Sequence, residues 1–471
     1  MHIRFFIYLL VGVVLVSCGQ TPEPAPVPEV KPVQQEVPLK TGEVIPHISE
    51  LRDVRRDFSL YLPSAYPGDS SLAVLLLFDP HGDGKGPVEA YHELAEKYGF
   101  ILAGSNTSQN GQSIEESRRT INSLVEDVNH LLTYDHHQLY TGGFSGGARI
   151  AGMAAMYQPG VSGAIACGAG LPPSHQPPVN NFCYYALVGN GDFNLYELQA
   201  LDSLLLQTPI PHHLEVFDGK HEWPSATHME HGFLFLKFTA MKSGRIPEDA
   251  HKEWVDAYAE SSIRRVDSLQ QHHLYLAAGE ALLQRIRLLE GLMDITGDRK
   301  RLKTLQSDPG YIKAQNRQNS IKSEENKIRE QYMLAFQGED IQWWKNEIQR
   351  LKKKDADPEQ EAMHQRLLAW ASISAYTYSN SMLRNGNLQV ARQFLDQYAV
   401  IDPPNPEHAY LLAVVEVREH HPEAAISKLN EAVQLGFNDL ARLQSDPDLQ
   451  VLANQPDYQT LLEKISAPEQ E

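Results

Sequence analysis

The stretch Thr141-Gly142-Gly143-Phe144-Ser145-Gly146-Gly147-Ala148 decides how this chain of 471 residues is interpreted. It matches the pattern G-x-S-x-G and lies between a predicted strand, residues 139–141, and a predicted helix, residues 148–156. A serine on such a turn is raised clear of the sheet beside the positive end of the helix, and the flanking glycines leave room for it. The stretch therefore predicts a nucleophile at Ser145. The alternative is a glycine-rich turn without chemistry.

The segments on both sides of this turn alternate between strand-like and helix-like patterns. Short apolar runs occur at residues 73–78, 99–103, 162–167, 184–188 and 214–217. Helix-like segments separate them, for example residues 114–132 with apolar residues near the helical period. Strands that alternate with helices predict an α/β fold with a mostly parallel sheet, whose ligands bind at the carboxyl ends of the strands.

Two residues qualify as partners for Ser145 because both follow strands at the same predicted sheet edge. A nucleophilic serine needs a base, and the base needs an orienting acid, in the chain order Ser, Asp or Glu, His. Asp192 follows the strand at 184–188, and His221 follows the strand at 214–217. Asp192 is therefore the predicted acid and His221 the predicted base. Asp218 is a weaker acid candidate, because it lies only three residues before His221.

These motifs resemble those of the α/β-hydrolase superfamily. More narrowly, residues 45–245 resemble the secreted esterases grouped with polyhydroxybutyrate depolymerases and feruloyl esterases, which carry G-x-S-x-G-G and G-H-x-W-P. Here the second motif reads Lys220-His221-Glu222-Trp223-Pro224, with the glycine displaced to Gly219. The resemblance implies a Ser-His-Asp triad that hydrolyses carboxylic esters without a cofactor, on a small-molecule, hydroxy-acid or carbohydrate ester.

The oxyanion hole is expected to combine two backbone amides. One is the amide of Gly146, directly after the nucleophile. The other comes from the loop Pro80-His81-Gly82-Asp83-Gly84, which resembles the H-G turn of the family. Because Pro80 has no N–H, the second donor should be the amide of His81 or of Asp83. The carboxylate of Asp83 would oppose a developing negative charge unless it points away.

The first residues of the chain resemble a targeting signal. Residues 1–17 form a short signal peptide with a 12-residue apolar segment that ends in Leu15-Val16-Ser17-Cys18. This ending resembles the lipobox of bacterial lipoproteins, which implies lipidation of Cys18. Residues 18–44 form a proline-rich linker, typical of an extended spacer. The expected location is the bacterial cell envelope, with the lipid as the only membrane contact. By resemblance, Gly19 favours the outer membrane.

Composition and cysteine or histidine patterns exclude several other classes. The formal net charge of −19 argues against a nucleic-acid binder, which needs a basic face. Histidines occur in pairs, such as His228 and His231, but three or four convergent ligands with a zinc-site spacing do not appear, so no metal site is predicted. Cys167 and Cys183 are expected at opposite ends of adjacent strands, as two free, buried thiols.

Past residue 247 the alternation stops and helical patterns follow. Residues 250–370 are predicted as a helical domain and residues 371–471 as repeats. Ala391 and Ala425 lie 34 residues apart, as do Ser379 and Ala413. This spacing resembles the tetratricopeptide repeat (TPR), which implies stacked helix pairs that bind a protein or peptide partner. The alternative is an ordinary pair of helical hairpins.

Together these features predict an α/β-hydrolase domain followed by an all-α, TPR-like domain. The predicted function is that of an envelope-anchored serine hydrolase acting on a carboxylic ester, with the repeats binding a partner. Two alternatives remain at this point. One is a serine peptidase acting on short peptides. The other is a catalytically weak hydrolase fold that serves as a scaffold in the envelope.

Overall fold

The structure, a computed structural model, describes residues 39–466 except 52, 54, 55, 70, 174, 175 and 248. All described residues belong to one compact unit. The predicted signal peptide, the lipidation site Cys18 and most of the proline-rich linker lie outside the described residues. Among the described helices, none has the length and apolar character needed to cross a bilayer.

One eight-stranded sheet forms the centre of the first half of the chain. Its strands, in chain order, are β1 Val44–Ser49, β2 Asp57–Tyr61, β3 Ala73–Phe78, β4 Phe100–Ser105, β5 Leu139–Phe144, β6 Val161–Cys167, β7 Cys183–Gly189 and β8 His212–Phe217. Their spatial order is β1-β2-β4-β3-β5-β6-β7-β8. Strands β3 to β8 pair in parallel, whereas β2 pairs antiparallel with both β1 and β4.

Among the described residues, five helices of the first half of the chain pack on the two faces of this sheet, and the other helices form the second half. The first five are α1 Lys85–Tyr98, α2 Ile114–Leu131, α3 Gly146–Tyr157, α4 Leu195–Leu205 and α5 Ala226–Lys242. The rest are α6 Lys252–Gln271, α7 Tyr275–Leu289, α8 Thr296–Gln306, α9 Pro309–Gly338, α10 Ile341–Lys352, α11 Pro358–Arg384, α12 Leu388–Ile401, α13 Glu407–Arg418, α14 Pro422–Gln434, α15 Leu440–Ser445 and α16 Pro456–Ser466, with a short 3-10 helix at Leu449–Leu452.

The uninterrupted apolar strand β3 shows why a sheet covered on both faces needs such a sequence. All six of its residues are buried. Val74, Leu76 and Phe78 enter one core, together with α2 and α3, whereas Leu75 and Leu77 enter the other, together with α1 and α5. Because successive side chains point to opposite faces, only a continuous apolar run satisfies both cores. The predicted architecture, a mostly parallel sheet with helices on both faces followed by a helical region, is confirmed.

The two cysteines occupy the positions expected for unpaired thiols. Cys183 begins β7 opposite Gly163, whereas Cys167 ends β6 opposite Leu187. Both thiols are free and buried, as predicted. Burial raises the pKa of the Cys183 thiol to about 12, so this side chain stays protonated near neutral pH and acts as a small apolar group.

Packing continues across both of the predicted internal domain boundaries. The core on one face of the sheet includes Val255 and Tyr258 of α6 and Ile286 of α7, beyond residue 245. A separate core extends from Ile321 on α9 to Leu461 on α16, across residue 370. The helical region is thus attached to the sheet by shared apolar packing.

The small residues with the 34-residue spacing lie at equivalent places in two helix pairs. Ser379 on α11 and Ala413 on α13 are fully buried, and so are Ala391 on α12 and Ala425 on α14. Small buried side chains allow adjacent helices to approach closely. The assignment of these helices to the TPR family stays a prediction.

Candidate active site

Ser145 lies on a strained turn between β5 and α3. Its φ of 52° and ψ of −119° are unusual for a residue with a side chain. The turn is tight: a Cβ atom at position 143 would lie 2.3 Å from the carbonyl oxygen of Gly147, and one at position 147 would lie 1.9 Å from that of Phe78. Glycine is therefore required at both flanking positions, and strain at such a turn is typical of a functional residue.

The structure brings Ser145, His221 and Asp192 together. His221 Nε2 lies 2.9 Å from Ser145 Oγ, and His221 Nδ1 lies 2.8 Å from Asp192 Oδ2. Asp192 is 1% exposed, whereas the side chain of His221 is 20% exposed. The buried carboxylate fixes Nδ1 as the protonated nitrogen and leaves Nε2 free to accept a proton from the serine.

Two phenylalanine rings hold the imidazole of His221 between them. The ring of Phe144, the residue before the serine, lies 4.7 Å from the imidazole, and the ring of Phe193, the residue after the acid, lies 4.5 Å from it. Ser145 and Asp192 thus each have a neighbouring aromatic side chain that limits rotation of the His221 imidazole. Neither ring could be identified from the sequence, because aromatic residues next to a motif carry no spacing signal of their own.

The loop that carries Asp192 fixes the second carboxylate oxygen as well. The amide of Asn194 donates to Asp192 Oδ1 at 2.8 Å, and the Asn194 side chain donates to the carbonyl oxygen of Gly168 at 2.7 Å. The weaker acid candidate, Asp218, is exposed and accepts a hydrogen bond from the side chain of Asn190 at 3.1 Å. The geometry therefore favours Asp192 as the partner of His221.

The loop after β3 departs in part from the expected oxyanion hole. The amide of His81 donates to Asp79 Oδ1 at 2.8 Å, so His81 is not a free donor, and this alternative is corrected. The side chain of Asp83 accepts the amide of Gly86 at 2.9 Å and so is held by its own loop. The amides of Gly146 and Asp83 remain the predicted donors.

Asp79 is a buried carboxylate that joins this loop to the loop of His221. Its Oδ2 accepts the indole N–H of Trp223 at 2.8 Å. Burial alone would raise the pKa of Asp79, but hydrogen bonds from His81 and Trp223 outweigh burial and lower the pKa below its usual value. Asp79 thus stays ionised and acts as a fixed acceptor between two loops of the site.

Ser145 and His221 lie in the wall of a cleft of about 2050 Å³ whose other wall is the helical region. Helices α11 and α13 of that region line the cleft along much of their length. Helix α11 contributes residues from Gln365 to Arg384, and α13 contributes residues from Glu407 to Arg418. Among the described residues, α12 contributes only its last turn, through Tyr398 and Ile401, and α14 contributes none.

A buried ionic cluster joins the helical region to α4. Glu325 on α9 is fully buried and lies 2.7 Å from Arg366 of α11 and 2.6 Å from Arg329. It also accepts the hydroxyl of Tyr196 on α4 at 3.0 Å. A buried carboxylate between two guanidinium groups is favourable only when its hydrogen bonds are complete, so these four residues form a unit.

The same two arginines hold the loop of the acid. Arg366 donates to the carbonyl oxygen of Asn190, and Arg329 donates to the carbonyl oxygen of Phe193 at 3.2 Å. These two carbonyls lie on either side of Asp192 in the chain. The helical region thus holds the backbone from which the side chain of Asp192 extends.

Several solved structures are similar to part of this chain. The S-formylglutathione hydrolase of Staphylococcus aureus has 12% identity over 42% of this chain and 98% of its own, with a TM-score of 0.34. A Pyrobaculum calidifontis esterase has 10% identity over 43% and 87%, with a TM-score of 0.34. The Bacillus cereus carboxylesterase has 16% identity over 39% and 93%, with a TM-score of 0.32. No protein-family model and no curated protein matches the chain.

Proposed function

We propose that this protein is a serine hydrolase that cleaves a carboxylic ester. The observation that carries the proposal is the continuous hydrogen-bonded series from Asp192 through His221 to Ser145, with distances of 2.8 and 2.9 Å. A serine hydroxyl is a weak nucleophile unless an adjacent base removes its proton. The strained backbone of Ser145 and its place at the carboxyl edge of the sheet support the same role.

In the proposed reaction, Ser145 Oγ attacks the ester carbonyl carbon while its proton passes to His221 Nε2. The amides of Gly146 and Asp83 stabilise the negative charge on the tetrahedral intermediate. The intermediate releases the alcohol, which takes the proton from His221, and leaves an acyl group on Ser145. A water molecule then attacks the acyl group with His221 again as the base, and the acid is released.

We further propose that the helical region binds the substrate itself. The inner sides of α11 and α13 line the same cleft as Ser145, so a molecule bound along these helices has part of its length at the nucleophile. The cleft is much larger than a short ester requires, since pockets for small ligands hold about 300–1000 Å³. The substrate class that fits is an ester with an extended acid or alcohol part.

A series of aryl esters with acyl chains of increasing length tests this assignment. The value of kcat/KM should rise at least about 10-fold from the acetyl ester to chains that reach α11, because the added binding energy is available in the transition state. Ile373, which lines the cleft and is 39% exposed, provides the variant. Ile373→Asp should lower kcat/KM for the long ester about 10-fold and leave the acetyl ester within about twofold.

Leu334 provides the matched control, because it is 73% exposed on α9 and does not line the cleft. Leu334→Asp should leave both esters unchanged. If kcat/KM does not depend on chain length, or if both aspartate variants behave alike, the helical wall of the cleft is not a substrate site. The hydrolase proposal would stand in that case, since turnover of the acetyl ester tests it separately.

Replacement of Glu325 should affect both stability and turnover. Glu325→Ala leaves Arg366 and Arg329 buried without their carboxylate, which should lower the free energy of unfolding by about 3–5 kcal/mol. Because these arginines hold the backbone around Asp192, kcat should fall while KM for a short ester stays nearly constant. Denaturant unfolding and steady-state kinetics well below the melting temperature measure the two effects.

The control for this experiment lies on the same two helices. Arg317 of α9 pairs with Asp357, which precedes α11, and both side chains are exposed. Arg317→Ala should leave stability and kcat close to wild type, because exposed pairs contribute little. A Glu325→Ala protein with unchanged kcat would show that the helical region does not position the acid.

The membrane anchor rests on sequence alone. We propose three features from the sequence alone: lipidation of Cys18, attachment to the bacterial cell envelope and a linker at residues 18–44. Residues 1–38 lie outside the described residues. A tether of this kind would hold the cleft away from a membrane surface.

A further inference from the structure

Two histidines that the sequence presents as ordinary helix-face residues converge on a buried carboxylate. His228 and His231 lie one turn apart on α5, and Glu215 lies on β8. His228 Nδ1 is 2.8 Å from Glu215 Oε1, and His231 Nδ1 lies between the two carboxylate oxygens, 3.1 Å from Oε1 and 3.0 Å from Oε2. The three ligand atoms all lie within 4.8 Å of one another.

We propose that Glu215, His228 and His231 form a binding site for one divalent transition-metal ion of the zinc type. Two imidazole nitrogens, one carboxylate oxygen and one water molecule make a common tetrahedral ligand set for Zn²⁺. Ligand atoms about 2.0–2.2 Å from a tetrahedral ion lie about 3.3 Å apart. The two observed Nδ1-to-Oε1 separations, 2.8 and 3.1 Å, need to widen by only a few tenths of an ångström, and the two histidine nitrogens lie within 4.8 Å of each other.

The surroundings orient the carboxylate as the outer groups of a metal site do. Tyr185 donates its hydroxyl to Glu215 Oε2 at 2.6 Å, and Gln284 of α7 donates its side-chain amide to the same oxygen at 2.8 Å. These two donors fix the plane of the carboxylate, so that Oε1 lies within 3.1 Å of both histidine nitrogens. Hydrogen bonds to the second oxygen of a ligating carboxylate fix its direction and strengthen metal binding.

Aromatic rings hold both histidines in place while leaving them accessible. Phe217 stacks on His228 with ring centroids 5.0 Å apart, and Tyr258 meets His231 edge-on at 6.1 Å. The side chains of His228 and His231 are 26% and 17% exposed, whereas that of Glu215 is 5% exposed. A metal ion and its water can thus enter from the histidine side without unfolding of the sheet.

The position of this site in the chain gives it a structural consequence. Glu215 precedes residues 218–225 and His228 follows them, and this loop carries His221. A bound ion joins the two ends of the loop, in addition to the hydrogen bond from Trp223 to Asp79. Metal binding should therefore restrict motion of the loop. The inference does not depend on the proposed hydrolase function, because its test does not use turnover.

Titration of the chelator-treated, purified protein with Co²⁺ and Zn²⁺ tests the site. We expect the protein to bind one Co²⁺ ion and to show the visible absorption typical of tetrahedral Co²⁺. Zn²⁺ should displace the Co²⁺ and bind with a Kd of about 1 µM or tighter. His228→Ala and His231→Ala should each weaken binding at least about 100-fold. Zn²⁺ should raise the melting temperature of the wild type but not of these variants.

The matched control is His421→Ala. His421 lies near Glu416 and Glu419 in a second, more exposed group of possible ligands, so it is the natural place for adventitious binding. This variant should keep the Co²⁺ spectrum and the Zn²⁺ affinity. Binding that is weaker than about 100 µM, or that is lost in His421→Ala but kept in His228→Ala, would overturn the proposal.

Hydrogen exchange tests the effect on the loop. Saturating Zn²⁺ should slow exchange of amide protons in residues 218–225 of the wild type and leave the His228→Ala protein unchanged. Far-UV circular dichroism in chelator should show that both proteins are folded. If bound Zn²⁺ does not alter exchange in this loop, the ion has no role in holding it.

Discussion

Replacing Ser145 with alanine should abolish ester turnover in a protein that remains folded. The hydroxyl that lies 2.9 Å from His221 Nε2 is lost, and water must attack the ester without a covalent intermediate. Loss of the nucleophile in a Ser-His-Asp site lowers kcat by about 10⁴-fold or more. The activity that remains comes from the oxyanion hole and from substrate binding. Hydrolysis of a short-chain aryl ester measures the effect.

The fold should be retained because alanine differs from serine by one oxygen atom and meets the same backbone strain at a φ of 52°. Ser372 provides the control, since it lies on the opposite wall of the cleft and donates its hydroxyl to Asp402 at 2.7 Å. Ser372→Ala should keep kcat for the short ester close to wild type. Equal turnover by Ser145→Ala and the wild type would contradict the assignment of the nucleophile.

Replacing Asp192 with asparagine should lower kcat by about 10⁴-fold without unfolding the protein. The Asp192 carboxylate accepts His221 Nδ1–H at one oxygen and the amide of Asn194 at the other. Asparagine can accept only one of these donors. If its oxygen stays with Asn194, its NH₂ group donates to His221 Nδ1, and the proton of the imidazole moves to Nε2. In that tautomer Nε2 cannot take the proton of Ser145.

Asp218 supplies the matched control for this prediction. It belongs to the same loop as His221 and was the weaker candidate for the acid, but its carboxylate bonds to Asn190. Asp218→Asn should keep kcat within about threefold of wild type, because it leaves the partners of His221 unchanged. The assignment is contradicted if Asp218→Asn loses turnover while Asp192→Asn keeps it. Steady-state kinetics with the short ester distinguishes these results.

The central sheet and the proximity of Ser145, Asp192 and His221 could be predicted because each carried a local signal. The strand β3 is apolar at all six positions, and the turn around Ser145 needs glycine at fixed offsets. Asp192 and His221 each follow a strand of the same parallel sheet. Parallel strands present their carboxyl ends at one edge, so sequence order alone is enough to bring these residues together.

Several side-chain contacts could not be predicted in the same way. The carboxylate of Asp79 accepts a hydrogen bond from the amide of His81, so this amide is not available as an oxyanion donor, contrary to the expectation from the sequence. Glu215 on β8 meets His228 on α5 only through the tertiary fold, and no spacing motif links a strand residue to a helix in this manner. Strands β1 and β2, at the antiparallel edge of the sheet, also lack the continuous apolar pattern that marked the others.

The position of the helical region relative to the site could not be predicted from the sequence. Polar helices with ordinary periodicity do not indicate which face meets another domain. In the structure, the inner sides of α11 and α13 line the same cleft as Ser145. Arg366 and Arg329 donate hydrogen bonds to the backbone of the loop that carries Asp192. Both features come from contacts between residues more than 130 positions apart in the chain, and local sequence patterns contain no information about such contacts.

Reaction of the purified protein with a fluorophosphonate probe tests the central claim most directly. An activated serine oxygen forms a bond to phosphorus and releases fluoride, and the serine proton passes to the base. We predict one adduct per chain, located by mass spectrometry on the peptide that contains Ser145, and absent from Ser145→Ala and from heat-unfolded protein. A folded wild-type protein that forms no adduct, or that carries it on another residue, would contradict the account.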